Sequence, residues 1–173
     1  EAASYAPSAG NLQNWSFIVV TDEKKIYDLS VCCLKQMWMN KAPVLIVVCN
    51  RKERVTNLFE ERGELYATQN CAVAAQNLML KAHELGLGTC WVGSFGIDNV
   101  RRILEVPENV VPEMIIALGY PEKFEGEVQR EPVDVITYFN KWGTKFLDSS
   151  MFPLKKQKDK LKKLSKKLFK KKE

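Results

Sequence analysis

The sequence predicts an α+β domain, and three observations carry that expectation. Four short runs are rich in β-branched and aromatic residues, as buried strands require. One long Ala-rich stretch, residues 65–85, has the length and composition of a central helix. The strands and helices do not alternate strictly, as a doubly wound parallel sheet would demand. The chain has 173 residues, the size of a single domain able to bury a sizeable core.

Glu1 to Ala6 reads as the last turns of a helix, broken before Pro7. Residues upstream of Glu1 are therefore expected. A Pro-Ser-Ala-Gly-Asn loop leads into the first strand, residues 15–21 (WSFIVVT). Asp22 is placed to cap a short helix through Ile26 and Leu29. Pro43 precedes the second strand, residues 44–49 (VLIVVC). A charged connection with a short helix follows. In residues 65–85, Tyr66, Val73, Leu78, Leu80 and Leu85 lie among alanines, so burial on most sides is expected. Gly86 and Gly88 stop this helix. A strand with a turn (residues 89–95, TCWVGSF) comes next. Asp98 is expected to cap the helix NVRRILEV, which ends before Pro107. Residues 113–119 (EMIIALG) form the fourth strand. Residues 122–131 form a charged loop, and residues 132–142 an extended, partly apolar arm.

Hydrophobic residues make up 46% and charged residues 27% of the chain, which excludes a disordered or collagen-like chain. No apolar run reaches the roughly 18–20 residues that span a bilayer. The formal charge of +5 is unevenly placed. Residues 154–173 hold 11 Lys against Asp159 and Glu173, a net of +9, leaving the first 153 residues at −4. The expected division is thus a domain over residues 1–153 and a Lys-rich tail over 154–173. An acidic body argues against nucleic-acid binding. The five cysteines form no C-x-x-C pair, and zinc-site spacing is absent. They read as reduced, mostly buried thiols of a cytoplasmic protein. His83, the sole histidine, reads as a surface or packing residue of the long helix.

Side-chain catalytic templates are missing: there is no phosphate-loop Lys motif, G-x-G-x-x-G, H-E-x-x-H or G-x-S-x-G. No metal site is expected. Gly86-Leu87-Gly88 and Gly93-Ser94-Phe95-Gly96 read on their own as helix stops and tight turns. A chain of this kind either binds a ligand or lets a cofactor carry the chemistry.

Several segments, in order, resemble the nitroreductase family of FMN enzymes. A-P-S-A-G-N-L-Q-N-W followed by FIVVT is similar to the family's flavin-binding loop and first strand. K-A-P-V-L-I-V-V is similar to its second strand, and Q-N-L-M-L-K-A-H-E-L-G-L-G-T-C-W-V-G-S-F to its central helix and following turn. V-R-R-I-L-E-V-P-E, I-I-A-L-G-Y-P and R-E-P-V-D-V-I continue the likeness to about Trp142. The resemblance implies a central, mainly antiparallel mixed sheet flanked by helices. It also implies a homodimer with two FMN sites at the interface, and a C-terminal arm packed on the partner.

On that resemblance, Pro7, Ser8 and Asn11 match the loop that touches the isoalloxazine from the neighbouring subunit. Gln36 matches a polar flavin contact. Gly93 and Ser94 match the turn whose backbone N–H faces flavin N5. Arg130 matches a phosphate-binding residue, a role that suits the guanidinium fork. Trp91 and Phe95, beside the turn, are candidates for the substrate pocket, with core packing the alternative for Trp91. The family's Arg-Ser-x-Arg phosphate grip is absent from these residues and would lie upstream of Glu1.

The implied activity is FMN-dependent reduction of nitroaromatic or quinone-like acceptors by NADH or NADPH, in a ping-pong hydride transfer at flavin N5. Dehalogenation, flavin destruction, azoline oxidation, deazaflavin-linked oxidation and flavin storage remain open on the same fold. In the tail, Leu154, Leu161, Leu164 and Leu168, with Phe169, form the apolar side of a basic amphipathic helix. Such a helix suits an anionic membrane or acidic partner, with a solvated extension as the alternative.

Overall fold

The apolar runs pair into one antiparallel sheet because their β-branched residues fit a pleated surface covered on both faces. The structure, a computed structural model, describes residues 1–123, 126 and 128–145. The strands are β1 (Trp15–Val20), β2 (Val44–Asn50), β3 (Gly88–Val92) and β4 (Val111–Gly119). Their order is β1-β2-β4-β3, and all three pairings are antiparallel. β4 begins two residues earlier than the sequence suggests. It accommodates Pro112 at a bulge: Val48 pairs with Met114 and Cys49 with Pro112, leaving Glu113 unpaired between them. A bulge is one of the few places in a sheet where proline is tolerated.

The helices α1 (Glu23–Cys32), α2 (Glu53–Phe59), α3 (Gly63–Glu84) and α4 (Ile97–Leu104) cover the sheet. Alternation along the strands splits the core in two. Leu45, Val47, Cys49, Ile115 and Ala117 pack with Leu29 of α1 and Val100 of α4. Val48, Met114 and Ile116 pack with Cys71, Ala74 and Ala75 of α3. Ala3 and Ala6, from the N-terminal turn, join that second layer. The turn is a single 3-10 stretch, Ala2–Tyr5.

Helix ends follow local chemistry. Asp22 caps α1 by accepting from Lys25 N–H at 2.8 Å. α3 ends in a left-handed Gly86 with φ +77. There Leu87 N–H donates to Ala82 O and Gly86 N–H to His83 O, both at 2.9 Å, the paired bonds of a Schellman stop. Asp98 does not cap α4. Gly96 takes the N-cap position and Asp98 falls in the first turn, its carboxylate 3.5 Å from Arg101; there it still favours the positive end of the helix.

The long helix is not buried on most sides within one chain. Its sheet-facing side is built from Ala67, Asn70, Cys71, Ala74, Ala75 and Ala82, while Leu65, Val73, Leu80 and the adjacent Leu85 are exposed. Small residues let the helix lie close to the sheet, Leu78 and Met79 pack at the edge of that core layer, and Leu65, Val73 and Leu80 point outward. α2 approaches just as closely. A Cβ on Gly63 would sit 2.4 Å from Thr56 Cα. Gly63→Ala would gain about 1 kcal/mol of helix propensity. The clash is with rigid backbone, so a net loss of about 1–3 kcal/mol is expected, read as a lower urea midpoint.

The chain divides into two units, Glu1–Phe124 and Glu125–Glu173. In the second, Pro132 leads into a short helical turn, α5 (Val133–Ile136), so the arm is not extended throughout. Tyr138 and Trp142 stack with ring centroids 4.4 Å apart, and Lys145 Nζ lies 3.8 Å from the Tyr138 ring centroid. The tail, residues 154–173, and its start after residue 153 lie outside the described residues.

Candidate functional site

The loop before β1 is built on unusual backbone. Gly10, Asn11 and Gln13 all have positive φ, at +58, +55 and +46. For Asn11 and Gln13 this left-handed region costs energy, so surrounding contacts must hold the shape. Ser8 Oγ accepts from Gln13 N–H at 3.1 Å, and Asn11 Oδ1 accepts from Gln13 Nε2 at 3.2 Å. Pro7 and Asn11 are exposed and Ser8 half-buried, so the loop presents its polar edge outward.

The Gly93-Ser94 turn leaves β3 as an exposed segment. No partner among the described residues takes the N–H of Gly93 or of Ser94. Nothing crowds the turn either: a Cβ on Gly93 would come no nearer than 3.6 Å, to Trp91 Nε1. Trp91, 39% exposed, shares the sheet face that α3 covers, opposite Ile116. Phe95 is half-buried against the core layer of α1 and α4. Gly96 N–H donates to Cys32 O at 3.2 Å, which fastens the end of α1 to the turn. Gln36 follows four residues later, half-buried at the start of the 3-10 turn Met37–Lys41. Two unpaired N–H donors on open backbone beside an indole suit the polar rim of a planar heteroaromatic ring.

Strand register places the loop and the turn at the same end of the sheet. Trp15 pairs with Asn50, which pairs with Val111, and β3 runs toward that end from Val92. The strands they adjoin, β1 and β3, are the opposite edges of the sheet, three inter-strand steps or about 14 Å apart. In the second unit, exposed Arg130 donates from Nη1 to Gln129 O at 3.2 Å.

The sequence reading missed a buried polar cluster behind the loop. Asn14, Asn50 and Asn70 are 0%, 1% and 5% exposed. Asn14 Nδ2 donates to Asn50 Oδ1 at 2.6 Å and to Ala67 O at 3.0 Å, and Asn70 Nδ2 donates to Asn14 Oδ1 at 2.7 Å. Asn50 Nδ2 donates to Glu113 Oε1 at 2.6 Å. Arg51 adds bonds to Gln13 O and Trp15 O at 3.0 and 3.1 Å.

Three of the cysteines are buried core thiols. Burial pushes the thiols of Cys33 and Cys71 up to about 12 and that of Cys49 to about 11, so little thiolate forms near neutrality. At pH 8 a maleimide is expected to label exposed Cys90 first and to spare Cys33, Cys49 and Cys71 until denaturant is added. Peptide mass spectrometry reads the order. Among the described residues no His/Cys/Asp/Glu group could hold a metal ion, and no helix is long and apolar enough to cross a membrane.

The model of the nitroreductase family matches residues 1–38 and 29–120, and the chain belongs to that family. It is 33% identical over 132 residues to a Methanothermobacter thermautotrophicus protein provisionally named an NADH dehydrogenase/NAD(P)H nitroreductase, covering 73% of this chain and 65% of that protein. It is 29% identical over 154 residues to the FMN reductase (NADPH) of Bacillus subtilis, covering 81% and 62%. A solved FMN-dependent nitroreductase from Clostridium difficile R20291 superposes with a TM-score of 0.69 at 30% identity, covering 82% of this chain and 83% of that one. The chain spans roughly two thirds of the length of the curated relatives it matches.

Proposed function

We propose that this chain is an FMN-dependent NAD(P)H oxidoreductase that works as a homodimer on small electron-poor acceptors such as nitroaromatics or quinones. The observation that carries the reading is the exposed Gly93-Ser94 turn, whose two N–H groups no described residue takes, in a chain of the nitroreductase family. FMN, when bound, supplies hydride acceptance from the nicotinamide and onward reduction of the acceptor. The protein's own part is to place and polarise the ring. Gly93 and Ser94 present N–H donors to its polar rim. Pro7, Ser8 and Asn11 present a stiff polar edge, and Gln36 offers a carboxamide. Arg130 pairs with the phosphate. Trp91 offers a stacking surface beside the turn; Phe95 faces the core and is assigned the back wall of the pocket.

The separation of loop and turn supports the dimer. Segments on opposite edges of one sheet are poorly placed to share one ring, whereas a second copy can bring its loop to the first copy's turn. The exposed Leu65, Val73 and Leu80 stripe of α3 gives such a copy an apolar surface to cover. A cytoplasmic setting fits five cysteines that are all free thiols.

The test is steady-state oxidation of NADH and of NADPH with added FMN and a panel of nitroaromatic and quinone acceptors. FMN-dependent turnover with at least one acceptor supports the reading, and its absence with every pair overturns it.

A further inference from the structure

We propose that Asn70 is the positioning residue of the loop before β1, acting through an amide chain of fixed direction that ends on Glu113. The inference rests on the flavin-contacting role proposed for that loop.

The loop is held to the body through few bonds. Asn11 N–H, Leu12 N–H and Gln13 N–H all donate within the loop, to Ser8 O, Ala9 O and Ser8 Oγ. Among the loop's N–H groups, that of Ala9 reaches out, to Asn70 Oδ1 at 3.0 Å, sixty-one residues away on α3; at the far end of the loop the Gln13 carbonyl accepts from Arg51. That bond needs the Asn70 amide turned with its oxygen toward the loop. A free asparagine could equally turn its nitrogen there.

The chain behind Asn70 removes the choice. Asn70 donates to Asn14, Asn14 to Asn50, and Asn50 to Glu113. One end is a backbone N–H, which only donates. The other is a carboxylate, which accepts when ionised. Midway, the Ala67 carbonyl also only accepts, and it takes the second Asn14 proton. Reversing any one amide would set two donors or two acceptors face to face in a buried site, where lost bonds are costly. The β4 bulge leaves Glu113 unpaired against β2, and its carboxylate accepts from Asn50 and Thr68. The chain thus transmits the orientation set at a sheet bulge to a loop with two left-handed non-glycine residues.

The test compares full-length wild type, Asn70→Ala and Asn70→Asp by two readouts: amide hydrogen exchange of Ala9 without flavin, and FMN dissociation constant across pH 5 to 9. Asn70→Ala is expected to speed Ala9 exchange about tenfold or more and to weaken FMN by a similar factor. Asn70→Asp is isosteric and keeps the fold testable if the alanine variant unfolds. Its protonated carboxyl accepts from Ala9 N–H and donates to Asn14, as the amide does. Ionised, it has no donor for Asn14. Glu113 on β4 and Arg51 after β2 are the charges facing this site. The aspartate variant should therefore approach wild type at low pH and lose loop protection and FMN affinity, relative to wild type, as pH rises. Unchanged Ala9 exchange in the alanine variant, or a wild-type pH profile in the aspartate variant, overturns the proposal. If wild type binds no FMN the flavin reading fails by itself, while the exchange data still decide whether Asn70 holds the loop.

Discussion

Replacing Asn14 with leucine is expected to destabilise the protein more than any other single change considered, by about 3–5 kcal/mol. The side chain is fully buried, and its amide satisfies Asn50 Oδ1, Ala67 O and Asn70 Nδ2. Leucine fits the volume and leaves all three without that partner. Each orphaned buried group costs about 1–3 kcal/mol. Some relaxation brings the sum below the simple total. Urea unfolding measures it: with a slope of about 1–3 kcal/mol per molar, the midpoint should fall by more than 1 M. A shift within about 0.5 kcal/mol would mean that the cluster is solvated or loosely packed.

The second large effect concerns the proposed cofactor. Arg130→Ala should weaken FMN about ten- to hundredfold, the worth of a charge-assisted hydrogen bond of about 1.5–3 kcal/mol. Arg130 is exposed and among the described residues it bonds to the neighbouring Gln129 carbonyl, so stability should hardly move. Flavin titration of the variant checks it, with riboflavin as the control. Riboflavin lacks the phosphate, so its affinity should be the same in wild type and variant. An equal loss for FMN and riboflavin would assign Arg130 to the ring or to the fold instead of the phosphate.

The strands were legible because burial on both faces makes each a continuous apolar run, a signal that survives without any knowledge of the partner strands. The end of α3 was legible because Gly86 supplies the left-handed residue that a Schellman stop needs. Other features depend on tertiary context. Pro112 argues against a strand until the bulge at Val48 and Cys49 is known. Val73, Leu80 and Leu85 read as core until the alanines of the same helix are seen against the sheet. Asp98 looks like a cap until Gly96 is found in that position. The short motifs of the loop and the Gly93-Ser94 turn could be read through resemblance to a family. The asparagine chain could not: Asn14 and Asn50 sit at the ends of apolar runs, where asparagine ordinarily marks a turn. Their burial follows from strand register, which pairs Trp15 with Asn50 and turns Asn50 toward α3.

The strands that adjoin the loop and the turn, β1 and β3, are the opposite edges of one sheet. Under the proposed dimer each chain would offer a turn for one ring and a loop for another, and a monomer would leave both halves incomplete. Dimer formation and flavin binding should therefore be linked, each strengthening the other.

The most direct test is a titration of the full-length chain with FMN, followed by quenching of flavin fluorescence, with the mass of the complex read by light scattering. Saturable binding of one FMN per chain in a species of twice the chain mass is the predicted result. A chain that leaves flavin fluorescence unchanged at FMN concentrations well above micromolar would contradict the account.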